Sequence, residues 1–186
     1  MDKKLMKAKV NKFIPTNLII ARTHTFILKE LSEKIKEYDN CKVIVEIGVS
    51  VGDGARGLIK GNPDAKYYGY DNYIELDEPN YEQAKRNLKE LAKKSDINLF
   101  REDSQKLESL PMADLIHVDG DHGKLGCLND LRLASKFLNS NGVILVHDMD
   151  YKCVVNAVDE WYEKNKENWN RYDLMHEHGW AILWKK

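Results

Sequence analysis

Residues 43–54, VIVEIGVSVGDG, constrain this chain more than any other stretch, because a short β-branched apolar run breaks abruptly into Glu46, Gly48, Ser50, Gly52 and Gly54. Such a run is expected to be a buried strand opening into a tight turn. Glycine at 48, 52 and 54 removes the side chains that would keep a ligand off the backbone. The amphipathic segment that follows would start a helix with free N–H groups facing the turn, an arrangement suited to a nucleotide-like cofactor. The spacing excludes two common cradles. A dinucleotide fingerprint needs G-x-G-x-x-G and a phosphate loop needs G-x-x-x-x-G-K-[ST], whereas the chain reads E-x-G-x-x-x-G-x-G.

Around this turn the pattern alternates between strand and helix. Residues 25–38 carry apolar side chains at helical spacing and are expected to form a covering helix. Strands are expected at 66–71, 97–101, 113–118 and 143–147, with a turn at Asn139–Gly142. Helices are expected at 55–59, from Asn80 onward with Gln83 in a capping box, at 125–138 and at 151–163. Segments 172–176 and 180–184 read as a terminal hairpin around His178-Gly179. The alternation implies right-handed crossovers and a parallel sheet with ligands at the carboxyl ends of its strands.

The residues suited to chemistry fall at those strand ends. Asp71 closes the second strand nineteen residues after Gly52, where a carboxylate can accept hydrogen bonds from both ribose hydroxyls of a nucleoside. Asp103 and Ser104 follow the third strand. The run DLIHVDGDH brings Asp119, Asp121 and His122 to the mouth of the fourth, and His147-Asp148 ends the fifth. Carboxylates crowded there would repel unless something cationic lay between them. His117, inside a strand, reads as a packing histidine. Tyr73, Tyr151 and Trp180 are candidates for the wall of a pocket or for the core.

The turn at 46–54 resembles motif I of the class I S-adenosylmethionine-dependent methyltransferases, with Ser50 where the commonest form has its middle glycine. The resemblance implies a Rossmann-like three-layer α/β/α sandwich, its mostly parallel sheet ending in a C-terminal antiparallel hairpin. It implies S-adenosylmethionine as cofactor, met by Glu46, Gly48, Ser50, Gly52, Gly54 and Asp119, with Asp71 at the ribose and Asp103 and Ser104 at the adenine. The DGDH run and GVILVHD are similar to the metal-dependent O-methyltransferases of the catechol and macrocin types. That likeness implies Mg²⁺ or another divalent cation on Asp119, Asp148 and His147. His147 replaces an acidic residue of the macrocin type, and Met149 stands where the catechol type has asparagine. A histidine in the set favours softer metals, or none, over Mg²⁺. His122 and Asp121 are the candidate bases for taking a proton from an acceptor hydroxyl.

Bulk properties narrow the partners. With 29 basic and 30 acidic residues there is no general electrostatic attraction to nucleic acid or to acidic membrane, so a small-molecule acceptor is expected. The lysines at 3, 4, 7, 9 and 12 read as a solvated leader. Cys41, Cys127 and Cys153 lack C-x-x-C spacing, which argues against a disulfide framework or structural zinc and fits a cytoplasmic location. Residues 1–186 are expected to be a single domain, 1–40 being an N-terminal segment and covering helix and 41–186 the core, with a homo-oligomer as one way to complete an open site. Three rival readings are a metal-dependent glycosyltransferase using Asp119-Gly120-Asp121, a degenerate cofactor-binding module, and a hydroxylase of the cephalosporin-modifying kind, whose first motif EIGVSVG also resembles.

Overall fold

The apolar run Val43–Ile47 forms β1, the third strand of a seven-stranded sheet. The structure is a computed structural model and describes residues 23–73, 80–175 and 178–186. The other strands are β2 (Lys66–Asp71), β3 (Ile97–Arg101), β4 (Ala113–Val118), β5 (Leu138–Val146), β6 (Trp169–Leu174) and β7 (Trp180–Lys185). Their order is β3-β2-β1-β4-β5-β7-β6, parallel from β3 to β5 and antiparallel where β7 joins β5 and β6. Chain order therefore reverses between β1 and β4, the switch point outside which a ligand crevice opens in such sheets.

Helices α1 (His24–Asp39), α2 (Asp53–Gly61) and α3 (Asn80–Leu88) cover one face, and α4 (Lys124–Phe137) and α5 (Lys152–Asn165) the other. Side chains along β1 alternate between them: Ile44 packs with Leu28, Leu58 and Tyr67, whereas Val45 and Ile47 pack with Leu131, Val146 and Val158. Helix α1 starts at Thr23, whose hydroxyl accepts from the Phe26 N–H at 3.3 Å. It lies against the bare side of α2: a Cβ on Gly57 would come within 2.4 Å of the Thr25 carbonyl oxygen and one on Gly61 within 2.3 Å of that of Lys29. That close approach brings the N-terminus of α1 to the end of the sheet.

Two boundaries differ from the sequence expectation by three residues or more. The NSNG stretch is not a separate turn but lies within β5, where the pairing with β4 slips between Ala113 and Leu115 and lets residues 139–142 bulge. Strand β6 begins at Trp169, three residues before the expected start, because buried Trp169 and Asn170 already pair with β7. The lysine-rich leader and His176 lie outside the described residues. Among the described residues no helix is long and apolar enough to cross a membrane.

Candidate active site

The carboxyl ends of β1, β2, β4 and β5 enclose a cleft of about 490 Å³, within the roughly 300–1,000 Å³ of small-ligand pockets. Its first wall is the turn after β1. Gly48 has φ +90, and a Cβ there would lie 2.0 Å from the Asp119 carbonyl oxygen, so this glycine lets β1 and β4 exit side by side. Ser50 also takes a left-handed backbone, φ +49, which explains why glycine is common at this place in the resembling motif. Asp71 clasps the turn: its Oδ2 accepts from the Ser50 N–H at 2.7 Å and its Oδ1 from that of Tyr73 at 2.6 Å. A carboxylate has lone pairs for about four such bonds, so capacity remains for a diol.

Asp103 and Ser104 form the opposite wall. Asp103 caps a short 3₁₀ turn, Ser104–Lys106, by accepting from the Gln105 N–H at 3.0 Å. Gln105 in turn donates to Asp130 Oδ1 at 3.0 Å, tying this wall to α4. Asp130 is fully buried, and burial pushes its carboxyl up to about 6 against the pull of hydrogen bonds from Ser104, the Asp121 backbone and Gln105. Between the ordinary value of 3.8 and about 6 the folded state holds more protons than the unfolded one, so this group costs about 3 kcal/mol of stability as pH rises through that window. Asp130→Asn is therefore expected to gain on the wild type by about 2–3 kcal/mol between pH 4 and pH 7 in urea unfolding. A constant difference across that range would refute the assignment.

The floor is a cluster of histidines and two carboxylates. Asp119 follows β4, and Asp148, with φ +60, follows β5. His147 Nδ1 donates to Asp119 Oδ1 at 3.2 Å and lies 3.3 Å from Asp148 Oδ1. His122 Nε2 meets Asp148 Oδ2 at 2.7 Å, and its ring stacks on exposed Tyr151 at 5.2 Å. Burial opposes the charging of His147, yet the two carboxylates outweigh it and raise this imidazole to about 9. Hydrogen bonding to Asp119 and Asp148 raises His122 to about 10. Burial alone would raise both carboxyls, but His122 and His147 hold Asp119 well below the usual carboxylate range and Asp148 at about 2.

His24, from the first turn of α1, completes the cluster. Its ring stacks on His147 with centroids 4.3 Å apart, and its Nε2 lies 3.6 Å from Asp119 Oδ2. Burial, with neighbouring His117, pushes its imidazole down to about 3. Sequence reasoning missed this residue. The only local signal was a histidine directly after a helix-capping threonine, and nothing in the spacing told that α1 would end at the cleft.

The structure brings most of the expected residues to the cleft: Gly48, Ser50, Gly54, Asp71, Asp103, Ser104, Asp119, Asp121, His122, His147 and Asp148 all line it. Glu46 and Gly52 do not. Strand alternation turns Glu46 under α1 and α2, where burial raises its carboxyl despite His117 Nδ1 at 2.8 Å and the Tyr67 hydroxyl, both hydrogen-bonded to it. Gly54 makes room for that carboxylate, since a Cβ would lie 2.2 Å from Glu46 Oε1. Gly52 caps α2 in a left-handed conformation and faces Leu88. His117 is buried as expected, but pairs with Glu46 rather than only packing. Asp121 accepts from the Gly123 N–H at 2.6 Å and so closes the loop before α4. Trp180 belongs to the core, 4.3 Å from the His147 ring, and Tyr73 is buried.

Asp71 with spare acceptor capacity, a backbone turn opposite Asp103, and ionisable groups at the adjoining strand ends fit a nucleoside-bearing cofactor next to a reacting centre. Comparison with known proteins agrees. A methyltransferase domain family model matches residues 45–149, more than half of the chain. No curated protein sequence matches. Among solved structures, the S-adenosylhomocysteine-bound methyltransferase PaMTH1 of Podospora anserina superposes with TM-score 0.66 at 16% identity, covering 100% of this chain and 97% of that one. The O-methyltransferase TomG of Streptomyces achromogenes, in complex with S-adenosylmethionine, gives 0.65 at 16% identity over 100% and 91%. A precorrin-6y C5,15-methyltransferase of Geobacter metallireducens gives 0.63 at 17% identity over 89% and 94%. At these identities the structures share the fold, and the glycosyltransferase and hydroxylase readings give way to the family match. The chain belongs to this methyltransferase domain family and is an S-adenosylmethionine-dependent methyltransferase.

Proposed function

We propose that the protein methylates a hydroxyl group of a small molecule or sugar. The observation that carries this reading is the His122–Asp148 pair at the cleft rim, beside the strand ends that frame the cofactor site. When bound, S-adenosylmethionine supplies an electrophilic methyl group on a sulfonium. Asp71 holds the ribose hydroxyls, and the Gly48–Ser50 turn and Asp119 flank the methionyl end. Asp148 holds the Nε2–H of His122, and because the two carboxylates raise this imidazole to about 10, Nδ1 takes the proton of an acceptor hydroxyl only in the neutral fraction, which grows as pH rises toward that value. Exposed Tyr151, stacked on His122, offers an apolar surface for the acceptor on the open side. Asp121, already bound to the Gly123 N–H, supports the His122 loop rather than serving as the base.

The Mg²⁺ expected from the likeness to metal-dependent enzymes does not fit this donor set. Mg²⁺ takes oxygen ligands in octahedral geometry, but His147 puts an imidazole where an acidic side chain would stand, and position 149 is a buried methionine. No step of the proposed transfer is routed through a metal.

The test is methyl transfer from labelled S-adenosylmethionine to a panel of phenols, catechols and sugar alcohols, with parallel panels of amines and thiols. Transfer to hydroxyl acceptors is expected, and His122→Ala should lower kcat by about 10²–10⁴-fold with cofactor affinity unchanged. Transfer confined to amines or thiols would overturn the reading.

A further inference from the structure

We propose that Asp130, buried behind the lining of the cleft, is a positioning residue for two of its walls: one carboxylate oxygen holds the Ser104–Lys106 turn, and the other seats the loop that carries His122 when the cofactor binds. The inference rests on the reading of His122 as the base.

The first arm is fixed in direction. Asp130 Oδ1 accepts from Gln105 Nε2 at 3.0 Å, and the same amide nitrogen donates to Ser104 Oγ at 3.1 Å and to the Gly126 carbonyl oxygen at 3.4 Å. A backbone carbonyl only accepts, so the Gln105 amide cannot flip and its NH₂ stays toward Asp130. Asn129, the neighbour of Asp130 on α4, donates to the Ser104 carbonyl oxygen at 3.4 Å. Two successive residues of α4 thus hold the turn expected at the adenine.

The second arm reaches the exit of β4. Gly120 passes over the other oxygen, since a Cβ there would lie 3.0 Å from Asp130 Oδ2. Gly126, in the first turn of α4, is bare against the next residue of the loop, where a Cβ would lie 2.0 Å from Asp121 Oδ2. Gly120, Asp121 and His122 are consecutive, so the seating of the first two on α4 decides where His122 stands.

Asp130 Oδ2 is buried and unpartnered: the Ser104 hydroxyl and the Asp121 backbone N–H pull on its charge, but neither closes on it with full hydrogen-bond geometry. Buried polar atoms are ordinarily satisfied, and an open carboxylate oxygen is costly. With its carboxyl at about 6, Asp130 is ionised at pH 8 and takes a donor at both oxygens. An open acceptor pressed against the loop that carries His122 marks where that loop seats once the cleft is filled.

The experiment compares wild type, Asp130→Asn and Asp130→Ala at pH 8, with circular dichroism and urea unfolding to check the fold. Asparagine must turn its oxygen to Gln105 Nε2, which leaves its NH₂ facing Gly120 and the Asp121 N–H. Asp130→Asn should therefore bind S-adenosylhomocysteine within about threefold of wild type while kcat at saturating cofactor falls at least about tenfold, in the variant whose stability gains on wild type as pH rises. Asp130→Ala releases both arms and should also weaken S-adenosylhomocysteine binding by about tenfold. Hydrogen exchange at the Asp121 amide, followed by NMR, reads the seating without turnover. S-adenosylhomocysteine should slow it at least about fivefold in wild type and not in Asp130→Asn. Affinity, kcat and stability falling together in both variants would show a merely structural role and overturn the proposal. Equal slowing of the Asp121 amide in wild type and Asp130→Asn would overturn it as well. Failure of every hydroxyl acceptor would count against the hydroxyl reading alone, because the binding and exchange comparisons decide the role of Asp130 without turnover.

Discussion

Asp71→Ala is expected to weaken S-adenosylhomocysteine binding by about 10²–10⁴-fold, leaving a fold that circular dichroism cannot distinguish from the wild type. The carboxylate already accepts from the Ser50 and Tyr73 backbone N–H groups at 2.7 and 2.6 Å, which fixes its direction and leaves lone pairs toward the cleft. Hydrogen bonds to a charged acceptor contribute about 1.5–3 kcal/mol each, and a ribose diol makes two of them. Alanine also unclasps the turn at Ser50, whose left-handed backbone is held in part by that bond. Asp71→Asn keeps one acceptor oxygen and should fall between. Calorimetric titration reads the difference, and an affinity for the alanine variant within threefold of wild type would remove Asp71 from the cofactor site.

The largest stability effect is expected at Gly48. Alanine there would place a Cβ 2.0 Å from the Asp119 carbonyl oxygen and 2.7 Å from the Gly120 Cα, both backbone atoms that cannot rotate away. The position also has φ +90, which side chains of L-residues rarely adopt. Overlap and strain together should cost more than about 4 kcal/mol, enough to empty the native state of an ordinary domain. Gly52→Ala is the matched control. Its φ is +89, but the nearest atom to the new Cβ would be a Leu88 side-chain carbon at 3.4 Å, so strain acts nearly alone and about 1–2 kcal/mol is expected. Urea unfolding of the two variants separates the terms, and equal losses would show that overlap with the β4 exit is relieved by backbone movement.

These two substitutions also mark what could be read without a structure. Periodicity alone determined that β1 is a buried strand, that helices alternate with strands, and that Asp71, Asp103, Asp119 and Asp148 come at strand exits, because side-chain spacing is set locally by the pleat and the helical turn. In a parallel sheet those exits share one edge, so the order of elements was enough to gather the cleft residues.

Contacts across the sheet were not local and so were not legible. The glycines of the turn read as open space for a ligand, yet Gly48 is needed for the Asp119 backbone, Gly54 for the Glu46 carboxylate, and Gly52 for the cap of α2. Glu46 read as a cofactor contact, but its face of β1 is decided by which side α1 and α2 cover. His24 carried no motif at all. It reaches Asp119, distant in sequence, only because α1 packs on a stripe of α2 without side chains and ends at the sheet edge. Short-range spacing was enough for the sheet, the turn and the acidic strand ends. Which of those groups face the cleft, which neutralise one another beneath it, and that a histidine from the N-terminal helix joins them follow from close packing, which brings together atoms that the chain order keeps apart.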